Sequence, residues 1–300
     1  WELSVGWRDH IGDWGYRLNL KVYDHKSIIT KFNNLSGSID NYYVGKALNS
    51  IYGYRADGYY SIDDFDMEKA KVGTWVLKEG VVSVSGYSVQ PGDVKFKDLD
   101  GNGVIDAGGS TLENPGDREI IGNSTSRYQF GGNLGVSWKG LDLNVLLQGV
   151  GKRDYWLGGA ALFPFGAAGA DGVFWPLYYN QTDYWSAVSY DPQSPDYMVA
   201  KNPDAKLFRV YGQDGNAGSN ARVSDKYIQN AAYLRVKNVT LSYSFPSSLL
   251  RKVALDQLRL YVSVENLATF TSLPKGYDPE SLSWSYPFYR TWSVGASITF

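Results

Sequence analysis

A chain of 300 residues with a formal net charge of −2, only 2 His and no Cys excludes or weakens several function classes at once. Near-neutrality gives no electrostatic reason for a nucleic-acid partner, and the missing thiols exclude disulfide staples and thiolate metal centres. The excess lies in 24 Tyr, 10 Trp and 33 Gly, and an aromatic ring with a polar tip suits a membrane interface or a sugar-binding surface.

In chain order, the first segment sets Trp1, Leu3, Val5 and Trp7 against Glu2, Ser4, Gly6 and Arg8. Side chains on a strand alternate between faces, so this is a strand with one apolar face. A polar turn over Asp9 to Asp13 leads to a second segment, Tyr16, Leu18, Leu20 and Val22 against Arg17, Asn19, Lys21 and Tyr23. A long charged, Gly-rich connection follows, about 24–126. The third segment carries Tyr128, Phe130, Leu134, Val136 and Trp138 on one side, and a tight turn at Lys139-Gly140 joins it to the fourth, Leu141, Leu143, Val145 and Leu147, with Leu146 out of pattern.

A second long connection, about 152–227, holds most of the remaining aromatics. Segment five settles into Val239, Leu241, Tyr243 and Phe245; its start, Tyr233 to Lys237, has the opposite phase, which predicts a bulge or an exposed strand end. The linker from Pro246 to Gln257 suits a turn of helix around Leu249 and Leu250. Segment six alternates Leu258, Leu260, Val262 and Val264 with Arg259, Tyr261, Ser263 and Glu265. A third connection, about 268–289, precedes the last strand, where Trp292, Val294, Ala296, Ile298 and Phe300 oppose Ser293, Gly295, Ser297 and Thr299.

Two regularities select among all-β folds. Connections run short, long, short, long, short, long, which sorts the long ones to one end, as in an outer-membrane barrel and unlike a sandwich or propeller. The polar face carries Arg8, Arg17, Lys21, Asp142, Arg259 and Glu265, costly in a dry core but natural in a wet lumen. The expected fold is a transmembrane antiparallel β-barrel. No run reaches the ~18 apolar residues of a membrane helix. Seven strands are too few for a closed barrel of this kind, and the chain starts at Trp1 inside an alternating pattern, so it reads as the C-terminal fragment of a larger barrel.

The sharpest motif is Asp98, Asp100, Asn102, Gly103, Val104 and Asp106. Oxygen ligands at positions 1, 3 and 5, a Gly at 6, a carbonyl at 7 and a carboxylate at 9 match the start of a calcium loop, although position 12 is Gly109 rather than an acid. The plain alternative is a Gly-Asn-Gly turn with solvated acids. In the second connection Trp156, Trp175, Tyr178, Tyr179 and Trp185 are candidates for stacking on a sugar ring; the plain alternative is that they pack the loop onto itself. No nucleophile elbow, phosphate loop, zinc pattern or dinucleotide fingerprint is present, so the expectation is not an enzyme.

The sequence resembles the C-terminal part of the SusC/RagA-like TonB-dependent outer-membrane transporters of Bacteroidetes. The resemblance is carried by Pro91-Gly92-Asp93-Val94-Lys95-Phe96-Lys97-Asp98, Asp117-Arg118-Glu119-Ile120-Ile121-Gly122-Asn123, Lys139-Gly140-Leu141-Asp142-Leu143, Tyr233-Leu234-Arg235-Val236-Lys237-Asn238-Val239-Thr240-Leu241 and Val264-Glu265-Asn266-Leu267 ahead of a terminal Phe. It implies a 22-stranded barrel around an N-terminal plug that these residues do not include. It also implies a SusD-like surface lipoprotein over the mouth and import of a glycan or peptide energised through TonB. Asp117, displaced by the insertion from Ala107 to Gly116, corresponds to an acid that closes the calcium loop in related transporters, and Phe300 to the signal read by the barrel-assembly machinery. A secreted β-rich glycan-binding protein and a passive porin-like barrel are the alternative readings.

Overall fold

The computed structural model describes residues 1–158, 182–210, 217–251, 254–282 and 288–300, and the chain divides into two compact units. Unit 1 comprises Trp1–Lys26, Thr125–Asp154 and Asn230–Phe300; unit 2 comprises Ser27–Ser124 and Tyr155–Gln229. Among the described residues no helix is long and apolar enough to cross a membrane, which says nothing of strands.

Unit 1 is one seven-stranded antiparallel sheet whose spatial order is the chain order. Its strands are β1 (Glu2–Ile11), β2 (Trp14–Tyr23), β3 (Arg127–Trp138), β4 (Leu141–Lys152), β5 (Tyr233–Ser244), β6 (Gln257–Thr271) and β7 (Thr291–Thr299). The β1 strand runs three residues past the predicted segment and its turn shrinks to Gly12-Asp13, because Asp9, His10 and Ile11 all find partners on β2. Likewise β6 runs on to Thr271, shortening the third connection. Lys139 and Gly140, at φ 44° and 90°, make the two-residue turn between β3 and β4, both residues left-handed as a type I′ hairpin requires. The short helix forms at Ser247–Leu250.

Register carries the two faces across the whole sheet. Leu18 pairs with Leu134, Leu134 with Val145, Val145 with Val239, and Val239 with Val264, which pairs with Trp292. One residue away, Asn19 pairs with Asn133, Asn144 with Thr240, Thr240 with Ser263, and Ser263 with Ser293. Aromatics collect at the short-turn rim, where Trp14 stacks on Trp138 with centroids 5.4 Å apart and Tyr243 meets Phe245 edge-on at 4.9 Å.

The phase change in segment five is a double bulge. Against β4, Leu146 pairs with Asn238 and Leu147 with Val236, so Lys237 is an extra residue. Against β6, Asn238 pairs with Glu265 and Val236 with Ala268, so Asn266 and Leu267 together face Lys237, Asn266 at φ 51°. A bulge re-aims the strand by one residue. Here it returns Leu234 and Val236 to the apolar face, opposite Phe270 and Ala268, and turns Arg235 to the polar one, opposite Gln148 and Thr269.

Unit 2 is built from short pairs: Ser50–Tyr54 with Arg118–Asn123, Ala56–Tyr59 with Val94–Phe96, and the parallel pair Ser83–Val84 with Val104–Ile105. Its core holds Tyr54, Tyr60, Phe65, Phe96, Ile105, Phe208 and Tyr227. A second cluster forms around Ile62, Trp185, Tyr197 and Met198. The described parts of the first two long connections are therefore packed structure with cores of their own.

Candidate functional site

The polar wall of unit 1 is the first candidate. Arg17 on β2 crosses Gly135 on β3 and donates from Nη2 to both carboxylate oxygens of Asp142 on β4, each at 2.9 Å, and to Asn144 Oδ1 at 2.8 Å. A Cβ on Gly135 would stand 2.5 Å from Arg17 Nε, so the glycine is what lets the guanidinium pass. Arg259 on β6 donates to Ser242 Oγ on β5 at 2.9 Å. Gly131 and Gly132 leave a recess of about 340 Å³ edged by Asn19, Lys21, Asn133, Leu146 and Gln148. Leu146, the break in the fourth segment's alternation, thus sits on the polar wall.

The opposite face is apolar and open. Leu241 lies on β5, with strands paired on both sides, yet is 50 % exposed, and Val294 is 82 % exposed. A continuous apolar surface backed by a charged one is the arrangement of a wall between lipid and water.

The acidic loop in unit 2 is the second candidate. It is held between Val94–Phe96 and Val104–Ile105. The structure brings Asp98, Asp100 and Asp117 together, one carboxylate oxygen of each within 4.8 Å of the others. Asp117 is fully buried and accepts from Leu99 N at 2.7 Å and Asp106 N at 2.8 Å, tying the end of the insertion to the loop. Asp98 accepts from Gly101 N and Gly103 N, each at 2.7 Å, and the Gly103 amide above all holds its carboxyl below the usual range, against the effect of burial. Asn102 Oδ1 accepts from Val104 N at 2.7 Å, and Asp106 Oδ1 from Gly108 N at 2.6 Å; Asp106 stands outside the three-acid group. A carboxylate group of hard oxygens fits a calcium- or magnesium-type ion better than a soft metal.

The aromatic candidates divide. Trp185 is 2 % exposed and its ring lies against Gly92, which makes it a core residue with no face to offer a ligand; burial overturns the stacking expectation there. Trp156 packs, partly buried, against the larger core. Trp175, Tyr178 and Tyr179 lie outside the described residues. Phe300 follows β7 directly and is exposed.

Two polar groups were not singled out from sequence. In unit 2 the buried Asp93 accepts from Arg209 Nε at 2.7 Å and Asn220 Nδ2 at 2.9 Å, while Asn220 Oδ1 accepts from Val94 N at 2.7 Å. Burial pushes the Asp93 carboxyl up, with Arg209 and Asn220 opposing. In unit 1 the buried Arg235 is gripped by Asp278 and Glu280. Only the reversed phase around Arg235 hinted at either.

No family model matches the chain. It is 30% identical over 273 residues to TonB-dependent receptor P3 of Formosa agariphila, covering 85% of this chain and 22% of that protein. TonB-dependent receptor P39 of the same organism is 22% identical over 315 residues, covering 93% of this chain and 27% of that protein. A solved structure of the RagAB peptide transporter superposes at a TM-score of 0.62 with 19% identity, over 100% of this chain and 29% of that one. The chain thus spans about a quarter of the length of the relatives it matches. A meander with one apolar and one charged face, long connections on one rim, and these matches together make the chain a barrel segment of the TonB-dependent receptor kind, located in the bacterial outer membrane.

Proposed function

We propose that this segment is part of the wall and outer mouth of a TonB-dependent importer that takes up a glycan or a peptide. The observation that carries this reading is the sheet itself, apolar on one face, charged on the other, with every long connection leaving from the same rim. Lipid covers the first face, and the second borders a watery route lined by hydrogen-bonding groups such as Asn19, Asn133 and Asn144. The RagAB structure is named as a peptide transporter, which favours the peptide alternative. In this reading a SusD-like lipoprotein closes over the outer connections, parts of the receptor beyond this segment answer to TonB, and the segment itself carries out no catalysis. Phe300 serves the barrel-assembly signal.

The acidic loop, on the same reading, holds a structural calcium ion. Asp98, Asp100 and Asp117 supply carboxylates, Asn102 and Asp106 join after their side chains turn inward, and Val104 offers its carbonyl. The ion would tie the insertion to the loop base at Asp117.

The test of import is growth of the source bacterium on single glycans and on peptides, with the receptor gene deleted and then restored. Loss of growth on one substrate, together with loss of its TonB-energised uptake, is expected. Growth and uptake unchanged on every substrate would refute it.

A further inference from the structure

The third connection turns back along the polar wall. Asp278 accepts from Arg235 Nη2 through both carboxylate oxygens, each at 2.7 Å, and Glu280 Oε2 lies 3.2 Å from Arg235 Nη1 and accepts from Lys237 Nζ at 3.0 Å. Arg235 Nε donates to Thr269 Oγ1 on β6 at 2.9 Å. Arg153, just beyond β4, donates to the carbonyl of Pro279 at 3.3 Å. The Phe288 ring covers both cations, 5.1 Å from the Arg235 guanidinium and 5.2 Å from Lys237 Nζ.

This grip is not a surface ion pair. Arg235 is 1 % exposed, and Asp278 and Glu280 are largely covered. Surface pairs contribute little, whereas breaking one partner of a buried pair strands a charge. Arg235 lies two residues inside the start of β5, and at about 3.4 Å per residue that places the grip roughly 7 Å below the strand's outer end. A connection that merely topped the rim would have no reason to reach a wall residue there. The double bulge is what turns Arg235 to the polar side, so the strand's irregularity and the connection's course are one device.

We propose that residues 274–282 form an inward strap, latched by Arg235 and Lys237, that narrows the outer mouth of the passage. The inference rests on the polar face being the inner wall, and on no particular substrate. The latch residues position the strap; none needs to touch cargo.

The test uses the full-length receptor in intact cells and two variants, Arg235→Ala and, as a milder release that keeps the wall residue, Asp278→Asn with Glu280→Gln. Folding is checked by heat-modifiable gel mobility. The first readout is hydrogen exchange of the peptide 274–282, expected to quicken at least tenfold on release. The second uses the absence of Cys from these 300 residues. Ser263→Cys, on the polar face opposite Thr240, is labelled from outside with a small maleimide and with a bulky polymer maleimide, and the adduct is identified by peptide mapping. Release of the strap is expected to raise the bulky rate severalfold and leave the small rate unchanged. Unchanged exchange in a folded variant would overturn the latch, and unchanged bulky labelling would overturn the narrowing. If Ser263→Cys is unreactive to both reagents from outside but reactive to a membrane-soluble one, the inner-wall reading itself fails.

Discussion

Replacing Val294 by Arg tests the face assignment at a highly exposed point within a strand. Val294 pairs with Val262, Val262 with Leu241, and Leu241 with Leu143, a row of branched apolar side chains across four strands. It sits near the centre of β7, so an arginine there meets hydrocarbon at about the midplane, at a cost of about 2–4 kcal/mol. That is roughly a 25- to 700-fold loss in the folding equilibrium at 1.4 kcal/mol per tenfold. The control must lie on the other face. Alternation alone nominates Ser297, but Ser297 pairs with Arg259, and a second guanidinium there would face the first. Ser293 is the sound choice: it pairs with Ser263, with Glu265 one step diagonal, so an arginine gains a counter-charge and should cost less than about 1 kcal/mol. The assay is urea unfolding of the full-length receptor refolded into phospholipid vesicles, followed by tryptophan fluorescence. Equal losses at positions 294 and 293 would refute the lipid-facing assignment.

Further outcomes follow from the same structure. Gly135→Ala should push Arg17 off Asp142 and cost about 1 kcal/mol, a small figure because the pair is partly solvated; the same unfolding assay reads it. Gly92→Ala should cost about 3 kcal/mol or more, because a Cβ would stand 2.3 Å from the buried Trp185 ring at φ 89°; faster proteolysis within residues 27–124 is the measure. The Asp24 carboxyl is pulled down to about 2, first by hydrogen bonds from Arg127. Its folded value lies below its unfolded one, so its stabilisation is complete above about pH 4 and fades as pH falls towards 2. The gap in stability between the native chain and Asp24→Asn should therefore be open at pH 7 and close between pH 4 and 2 in an acid titration. Calcium removal should expose residues 92–122 to protease, and Asp117→Asn should reproduce that exposure in the presence of calcium; identical cleavage maps with calcium and with chelator would dismiss the metal.

The wall was legible in the sequence because each strand declares its faces independently. Leu141, Leu143 and Val145 alternate with polar residues whatever their neighbours do, and the lipid–water boundary keeps charge out of the middle of the apolar row. Even the bulge was readable, since Tyr233 to Lys237 break phase with Val239 to Phe245. Partnerships were not readable. Nothing near Asp93 names Arg209 or Asn220, 116 and 127 positions away. Nothing near Trp185 tells that its ring rests on Gly92 rather than on a ligand. Composition records that an aromatic is present; only the fold decides which side of a core it occupies. In the acidic loop, the spacing of Asp98 and Asp100 was visible as a motif, but the return of Asp117 across the inserted residues depends on Asp106 and Leu99 offering their amides.

The two-residue turns at Gly12-Asp13 and Lys139-Gly140 have an evolutionary corollary. At those two turns strand register is fixed, with no slack for an insertion. At the far end, a segment as large as 24–126 departs and returns to adjacent strands without disturbing a single pairing below it. Such a protein can lengthen, swap or redecorate its outward-facing parts over generations while its seal with the membrane stays constant, because variation is confined to one rim.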